Sequence, residues 1–441
     1  AGQNGGIQIP LKATANADLK GGIFEAQNNT FTLTADQLTA LKSRRLYANV
    51  HSQKSRSGEI RGQVVSNSTR AVFRGHLSGS NENPSVTTLA SGLVIVEIVD
   101  TANIIVSGAF NNLEGDVAVN VGGGAHIHRG LAGENGGIIR GVTFTPTANN
   151  RSGTLDAAAN ALNIGGVEVQ RMLSRGTYFN VHSLLYPSGE LRGQLLPEKH
   201  VNFSAYLSGI FEVPEAISRG SGAVKAELIG TELVVSGSFR NLSSALATDV
   251  AGGAHIHLGY AGASGGIQFP LTTTIDANSL GGKFEAKNNT FTLTADQVAQ
   301  LRGRQLYVNV HSANQRSGEL RSQLLHEATT YFVAPLSGAS EGPAVNTNAA
   351  GMTVLEVNGG TGIVTGAFAG LGADFAADVA GGSHIHRGIA GSNGSIVKEL
   401  KASILANNRS GVFTAADNSF TMTAGYIDSL RNRLHYANVH T

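Results

Sequence analysis

The most restrictive feature of this sequence is an internal repeat with a period of 129 residues. One repeated motif is a histidine pair separated by isoleucine, and its copies are His126-Ile127-His128, His255-Ile256-His257 and His384-Ile385-His386. In a second motif the histidine lies 54 residues after each pair, and its copies are Asn180-Val181-His182, Asn309-Val310-His311 and Asn438-Val439-His440. A fixed period of this kind predicts an array of similar domains.

Four units can be delimited from these and other landmarks. A Leu-Ser-Gly motif followed by Glu and Pro opens each complete unit, and a Gly-Glu-Leu/Ile-Arg motif closes it. The predicted units are a leading partial unit at 1–66, a first complete unit at 71–197, a second complete unit at 201–326 and a terminal unit at 330–441. The terminal unit is expected to lack its last strand. His51, in a fourth Asn-Val-His motif, is the remnant of one further copy.

Both ends of the sequence fall inside units. We therefore expect the chain to be a window from a longer repetitive protein. The alternative is a filament protomer whose incomplete ends are completed by its neighbours. The segments between units cover only residues 66–70, 198–200 and 327–329. Segments this short cannot act as flexible linkers, so successive units are expected to form a stiff rod.

Each unit is predicted to be an antiparallel β-sandwich. Stretches such as 92–98, 105–110 and 231–238 are rich in β-branched residues, and glycine-rich turns separate them. The spacing predicts about seven to nine short strands per unit, so the expected fold class is all-β, in a tandem array. One short helix per unit is also expected, because Thr34 and Thr294 precede Gln37 and Gln297 in a capping-box pattern.

The composition argues against several classes of partner. The net charge is only +1, whereas nucleic acids and membrane surfaces require a concentrated basic face. The sequence has no run of 18 apolar residues, so no membrane-spanning helix is expected. It also has no cysteine, which excludes disulfides and thiolate ligands. The residues typical of surfaces are mostly Asn, Thr, Ser and Gly, with few Lys and Glu, which indicates an extracellular or cell-surface protein.

The repeated histidines are candidate metal ligands. Because side chains alternate along a strand, the two histidines of each pair share one face and the isoleucine points to the other. If the Asn-Val-His strand is a neighbour, three neutral imidazoles converge, and such a set suits copper or zinc. The candidate ligands are His126, His128 and His182; His255, His257 and His311; His384, His386 and His440; and the remnant His51. The alternative is that these histidines only make structural hydrogen bonds.

Two further sets of residues are interpreted as structural. The repeated pairs Glu59 and Arg61, Glu190 and Arg192, and Glu319 and Arg321 are expected to form a ladder or cross-strand ion pairs. The histidines that do not recur are expected to be ordinary surface residues, and these are His76, His200, His326 and His435. The sequence contains no carboxylate pair, nucleophile triad or phosphate loop, so we do not expect an enzyme.

The ordered motifs resemble the CHRD domain, a family named for chordin and widespread among secreted proteins of bacteria and archaea. The resemblance covers nearly the whole chain, and in the first complete unit it rests on residues 77–84, 125–133, 178–183 and 188–194. It implies a β-sandwich and an extracellular setting. A weaker likeness to the copper–zinc superoxide dismutase fold lacks the cysteine and the fourth copper histidine, so dismutase activity is not expected.

These observations predict a function in outline. We expect an extracellular structural repeat protein that forms a rod, surface fibre or filament with copies of itself and holds copper or zinc in each unit. The alternatives are a protein that sequesters copper or zinc and a copper redox enzyme.

Overall fold

Every β-strand pairing is antiparallel in the part of the chain that the computed structural model describes, residues 3–66 and 68–441. The strands form several sheets, and each sheet takes its strands from one unit. The expected all-β fold class is therefore confirmed. Among the described residues, no helix has the length and apolar character needed to cross a membrane.

The leading partial unit and the first complete unit contain the first fifteen strands and two helices. The leading partial unit has β1 (Thr14–Ala15), β2 (Gly22–Ile23), α1 (Ala35–Lys42), β3 (Tyr47–Val50) and β4 (Ile60–Gln63). The first complete unit has β5 (Ala71–Ser78), β6 (Ser91–Ile98), β7 (Asn103–Asn111), β8 (Ala125–Arg129), β9 (Ile138–Gly141), β10 (Thr145–Pro146), β11 (Gly153–Leu155), β12 (Ala161–Asn163), α2 (Gly166–Leu173), β13 (Thr177–Val181), β14 (Leu191–Gln194) and β15 (Leu196–Pro197).

The other two units repeat this order. The second complete unit has β16 (Val201–Leu207), β17 (Ser221–Ile229), β18 (Glu232–Arg240), β19 (Ala254–Leu258), β20 (Ile267–Pro270), β21 (Thr274–Ile275), β22 (Gly282–Phe284), β23 (Thr290–Thr292), α3 (Ala295–Arg302), β24 (Leu306–Val310), β25 (Leu320–Gln323) and β26 (Leu325–His326). The terminal unit has β27 (Thr330–Ser337), β28 (Ala350–Asn358), β29 (Thr361–Ala369), β30 (Ser383–Arg387), β31 (Ser395–Glu399), β32 (Ala402–Ile404), β33 (Gly411–Phe413), β34 (Ser419–Thr421), α4 (Ala424–Arg431) and β35 (His435–Val439).

The second complete unit shows the sandwich most simply. One sheet is built around the long strands β16, β17 and β18, and the other has the order β20-β19-β24-β25. Apolar side chains from both sheets meet between them, including Phe203, Val235, Ile256 and Val308, none of which is exposed. Burying a side chain of this size contributes about 1.5–3 kcal/mol, so this layer is the main source of stability. The histidine motifs lie on the second sheet.

Each of the four units contains a two-turn helix that leads into the Asn-Val-His strand. In α1 and α3 the expected capping boxes are confirmed: Thr34 and Thr294 accept hydrogen bonds from the backbone of Gln37 and Gln297, whose side chains bond back. The residue after each helix cap then adopts a left-handed backbone conformation, and it is arginine in every unit: Arg44, Arg175, Arg304 and Arg433, with φ of 55°, 64°, 61° and 57°. Glycine would relax this position, so the arginine side chain requires an explanation.

That explanation is a contact between successive units. Arg175 donates through Nε and Nη2 to the carboxylate of Glu227 in the next unit, at 2.9 and 3.2 Å. The same bidentate pair recurs at the preceding and following junctions, as Arg44 with Glu97 and Arg304 with Glu356. Bidentate, charge-assisted pairs are geometrically specific, so each junction has the same local geometry.

The loop that follows each histidine pair also contacts the next unit. Gly133 has φ of +84°, and a Cβ there would lie 2.8 Å from the backbone nitrogen of Ala223. Beside it, the hydroxyl of Ser238 donates to the carbonyl of Ala132 at 2.8 Å. Gly262 has the same position in the second complete unit, where a Cβ would lie 2.6 Å from the nitrogen of Met352. Only glycine allows this close approach, which makes the loop part of the junction.

The first complete unit also contacts residues beyond its immediate neighbour. Arg74 pairs with Glu327 at 3.1 Å, and the hydroxyl of Ser78 donates to the carbonyl of Thr329 at 2.8 Å. Arg431 of the terminal unit pairs with Glu114 of the first complete unit. The first complete unit therefore touches both the next unit and the terminal unit.

Candidate metal centre

Strand pairing brings the histidines of each unit to one face of a sheet. In the first complete unit β8 pairs with β13, with His126 opposite Asn180 and His128 opposite Tyr178. His182 follows directly after β13 and lies on the same face. Ile127 lies on the other face and is fully buried in the sandwich core, as expected. The two neighbouring strands therefore present three imidazoles together.

All nine predicted ligands of the three triads are brought together in this way. Within each triad, one nitrogen from every ring lies within 4.8 Å of the other two. In the first triad, Nε2 of His126 and Nε2 of His182 are 2.9 Å apart. His51 is different: it is exposed, and it belongs to none of the clusters found among the described residues.

The second ring nitrogen of these histidines bonds to backbone. Nδ1 of His128 lies 2.8 Å from the carbonyl of Gly136, and His257 and His386 make the same bond in their units. Nδ1 of His182 lies 2.9 Å from the carbonyl of Pro187. Because a carbonyl can only accept, the ring nitrogen must donate. This fixes the tautomer and leaves Nε2 with a free lone pair aimed into the triad.

The first histidine of each pair follows the same rule with one variation. Nδ1 of His126 bonds to the carbonyl of Gly122 at 3.1 Å, so Nε2 faces the triad. In the other units the ring is turned, and Nε2 of His255 and His384 bonds to the carbonyls of Ala251 and Ala380. Nδ1 is then the free nitrogen. These bonds leave eight of the nine rings, all except His440, with one acceptor nitrogen that faces the triad.

The ring nitrogens that face the triads lack hydrogen-bond partners. Seven of the nine are buried without one: Nε2 of His128, His257, His311, His386 and His440, and Nδ1 of His255 and His384. The remaining two are the facing nitrogens of His126 and His182. An unpartnered buried polar atom costs about 1–3 kcal/mol, and this cost recurs in each triad. A metal cation would satisfy all three nitrogens at once, so the residues fit a metal ion.

Burial keeps the imidazoles in the neutral form that a metal requires. Burial, with a smaller effect of the neighbouring His182 and His128, lowers the pKa of His126 to about 4. Burial likewise lowers the pKa of His311 to about 4. These triads are therefore ready to bind a cation at neutral pH without first losing protons.

A stack of side chains behind each triad was not foreseen from the sequence. The ring of His128 lies parallel to that of Tyr178, with centroids 4.9 Å apart, and the guanidinium of Arg192 lies 3.5 Å above the tyrosine. The second complete unit repeats the stack with His257, Tyr307 and Arg321. The signal was present, because the tyrosine precedes the motif histidine by four residues and therefore shares its face.

This stack corrects the expected pairing of the strand glutamates and arginines. Arg192 does not pair with Glu190; it donates to the carbonyl of Leu131 at 3.0 Å and to Oδ1 of Asn135 at 3.2 Å. Glu190 accepts instead from the hydroxyl of Thr88. The prediction was wrong because a stacked, buried guanidinium finds backbone carbonyls closer than the carboxylate.

The four histidines that do not recur in the repeat are not ordinary surface residues, and that expectation was also wrong. All four are half-buried. His200 bonds to Glu227 at 2.7 Å, His326 packs on the ring of Phe203, and His435 bonds to Ser429. Two of them lie at the junction with the next unit: His76 is close to Lys225, and His200 bonds to Glu227.

A buried carboxyl group near the stack, that of Glu82, predicts that the stability of the folded state depends on pH. Burial raises the pKa of Glu82 to about 8, and Arg192 offsets only part of this effect. Between about pH 4.5 and 8 the folded state then holds a proton that the unfolded state has lost. Its stability must therefore fall as pH rises through this window, by about 1.4 kcal/mol per pH unit at most for one group. The Glu82→Gln variant should show a shallower fall.

Urea unfolding midpoints at pH 5 and pH 8 measure this difference. Glu215→Gln, a change at an exposed residue of the second complete unit, is the control and should keep the slope of the unmodified chain. Equal slopes for Glu82→Gln and the control would show that Glu82 does not hold the proton.

The donor set restricts the metals that fit. Three imidazole nitrogens held by paired strands, with no thiolate available in the sequence, match the ligands of zinc and copper. Hard cations such as calcium and magnesium prefer oxygen ligands, which the triads do not provide.

Comparison with known proteins identifies the family to which the chain belongs. A sequence model of the CHRD domain matches four successive stretches, residues 1–64, 73–195, 203–324 and 332–441. A search of curated proteins finds no match. The four matches cover nearly the whole chain, and each of the last three contains one histidine triad. The chain therefore belongs to the CHRD domain family and is a tandem CHRD domain protein.

Proposed function

We propose that each of the three triads binds one copper or zinc ion, and that the array is an extracellular structural protein in which metal stiffens the repeat. The observation that carries this proposal is the set of converging, buried ring nitrogens without hydrogen-bond partners. Structural hydrogen bonding alone accounts for one nitrogen in eight of the nine rings and leaves the nitrogens that face each triad without a role. A bound cation would give these facing nitrogens a partner.

The proposed ion would join parts of the unit that are distant in sequence. The ligands come from β8 and from the segment directly after β13, so an ion would cross-link two neighbouring strands at their ends. The three protein ligands leave one or two coordination positions to water. Coordination supplies binding energy that the unfolded chain cannot use, so the ion would stabilise the folded unit.

Metal binding is also coupled to the junction in this proposal. Gly136, whose carbonyl orients His128, lies in the same loop as Gly133, which packs against Ala223 of the next unit. An ion on His128 would therefore hold the loop that docks the neighbouring unit. We infer that occupied sites would make the array more rigid.

Three observations support the rod or fibre. The bidentate arginine–glutamate pair recurs at each junction, the segments between units are very short, and alternate units touch. An extracellular location and self-association are part of the proposal and rest on the composition and on the resemblance to secreted CHRD proteins. The proposal assigns a structural role to the metal and no catalytic one.

X-ray absorption on the metal-loaded chain tests the proposal. Metal-free protein is given three equivalents of zinc or copper, and unbound metal is removed. The spectrum should show about three nitrogen neighbours at about 2.0–2.1 Å with the scattering pattern of imidazole. Coordination by oxygen alone would contradict the assignment. Imidazole coordination without any gain in thermal stability would favour sequestration over a structural role.

A further inference from the structure

The junction between the first and second complete units buries a lysine against an asparagine. Lys225 lies on β17 and is 3% exposed, and Asn81 ends a 3₁₀ turn (Gly79–Asn81) and is 7% exposed. Nζ of Lys225 is 2.7 Å from Oδ1 of Asn81. The pair links residues that are 144 positions apart in the chain and lie in different units.

The asparagine amide is held at both ends. Its Nδ2 donates to the carbonyls of His76 and Arg192, both at 3.0 Å, which identifies the nitrogen end of the group. Its Oδ1 accepts from the hydroxyl of Tyr206 at 2.8 Å as well as from Lys225. A hydroxyl aimed at this oxygen polarises the carbonyl and would stabilise negative charge developing there.

The lysine amine is placed as a nucleophile. Besides Asn81, Nζ contacts the hydroxyl of Ser204 at 2.5 Å. Burial lowers the pKa of Lys225 to about 8, against the opposing charge of Glu327. On the order of a tenth of the amine is then neutral at pH 7, and a neutral amine has the free electron pair that attack requires.

The next junction shows that packing does not require this polar pair. The residue equivalent to Asn81 is Phe211, third in its own 3₁₀ turn, and the residue equivalent to Lys225 is Val354, fifth in β28. Both lie in one apolar cluster with Met352. The same contact can thus be closed by apolar side chains, which avoid the cost of burying a cation. Packing alone therefore does not explain why a lysine and an asparagine occupy these two positions.

We propose that Lys225 and Asn81 join in an isopeptide bond that staples the first complete unit to the second. The ammonium of Lys225 first releases one proton. Neutral Nζ then attacks Cγ of Asn81, and Tyr206 holds the oxyanion. The Cγ–Nδ2 bond breaks, and Nδ2 leaves as ammonia after taking a second proton from Nζ. The ammonia and the first proton leave together as ammonium, so atoms and charge balance without any oxidant.

Mass spectrometry of the purified chain tests the bond. The intact mass should be lower than that of the sequence by about 17 Da, the mass of ammonia. Trypsin should leave Lys225 uncleaved and release residues 75–129 joined to residues 220–240. The linked peptide decides the question, because a succinimide formed at asparagine also loses ammonia. Peptides 220–225 and 75–129 recovered separately in full amount would overturn the proposal.

Substitutions test which residues form the isopeptide bond. Lys225→Met should restore the full mass for its own sequence and remove the linked peptide. Lys283→Met, a change at a more exposed lysine of the same unit, should leave the linked peptide in place. Tyr206→Phe keeps the ring and removes the hydroxyl, and it should slow bond formation about 100-fold in freshly made protein. A linked peptide that persists in Lys225→Met would also contradict the assignment.

Discussion

The His128→Phe variant is expected to bind two metal ions per chain where the unmodified protein binds three. Phenylalanine keeps an aromatic ring on Tyr178, with which His128 stacks, but it has no nitrogen to offer the ion. The other two triads share no ligand with this one and should keep their ions. Metal at 100 times its dissociation constant stabilises a binding unit by about 2.7 kcal/mol, and the first complete unit should lose this gain.

His51→Phe is the matched control for that variant. The His51 ring bonds through Nδ1 to the carbonyl of Arg56, as His311 bonds to the carbonyl of Arg316. No histidine pair accompanies it among the described residues, so its loss should leave the metal count unchanged. Metal analysis and thermal unfolding with and without zinc measure both quantities. A count of three ions in His128→Phe would show that His128 is not a ligand.

The Arg304→Met variant is expected to destabilise the junction between the second complete unit and the terminal unit by about 3 kcal/mol. Arg304 makes two charge-assisted bonds to Glu356, at 2.7 and 3.0 Å. The carboxylate is almost completely buried, so removing the arginine leaves a negative charge without its partner. Methionine covers about the same apolar area as the aliphatic part of the arginine side chain. The substitution therefore mainly removes the charge. Denaturant unfolding measures the loss.

Arg316→Met is the matched control for the junction variant. Arg316 also pairs with a carboxylate at 2.7 Å, that of Asp249, but both side chains are more than half exposed. Exposed pairs contribute about 0–1 kcal/mol, so this change should have little effect. Negative-stain images should show bent or separated units only for Arg304→Met. Equal, small effects of the two changes would contradict a structural role for the junction pair.

The triads could be predicted from the sequence because two simple rules determine them. Alternation along a strand puts His126 and His128 on one face, and the constant spacing to His182 indicated one common partner strand. The sequence did not establish that β13 lies beside β8; this was an assumption that the structure supports. The ring hydrogen bonds could not be predicted, because their acceptors are backbone carbonyls of loops, as with Gly136.

The junctions could not be predicted for a different reason. Arg175 and Glu227 belong to different units, and no local pattern links them. Their contact depends on how whole units are oriented, which hydrophobic periodicity does not describe. The same limit explains the error over His200, whose partner is that same glutamate. A residue that looks exposed within one unit becomes buried when the next unit covers it.

The strand count was underestimated because the shortest strands have no compositional signal. The prediction was about seven to nine strands per unit, whereas the two complete units run from β5 to β15 and from β16 to β26. The strand β10, for example, contains only two residues, Thr145 and Pro146, and proline is disfavoured in sheets. Such strands form because β11 offers a partner at the edge of the sheet, and this depends on tertiary structure.

The metal content of the chain, purified without chelator and loaded with copper or zinc, tests the central claim most directly. The account predicts three ions per chain, one for each triad, with none at His51. A chain that holds no metal and takes up none on addition of copper or zinc would contradict the account, and the triads would then be structural residues only.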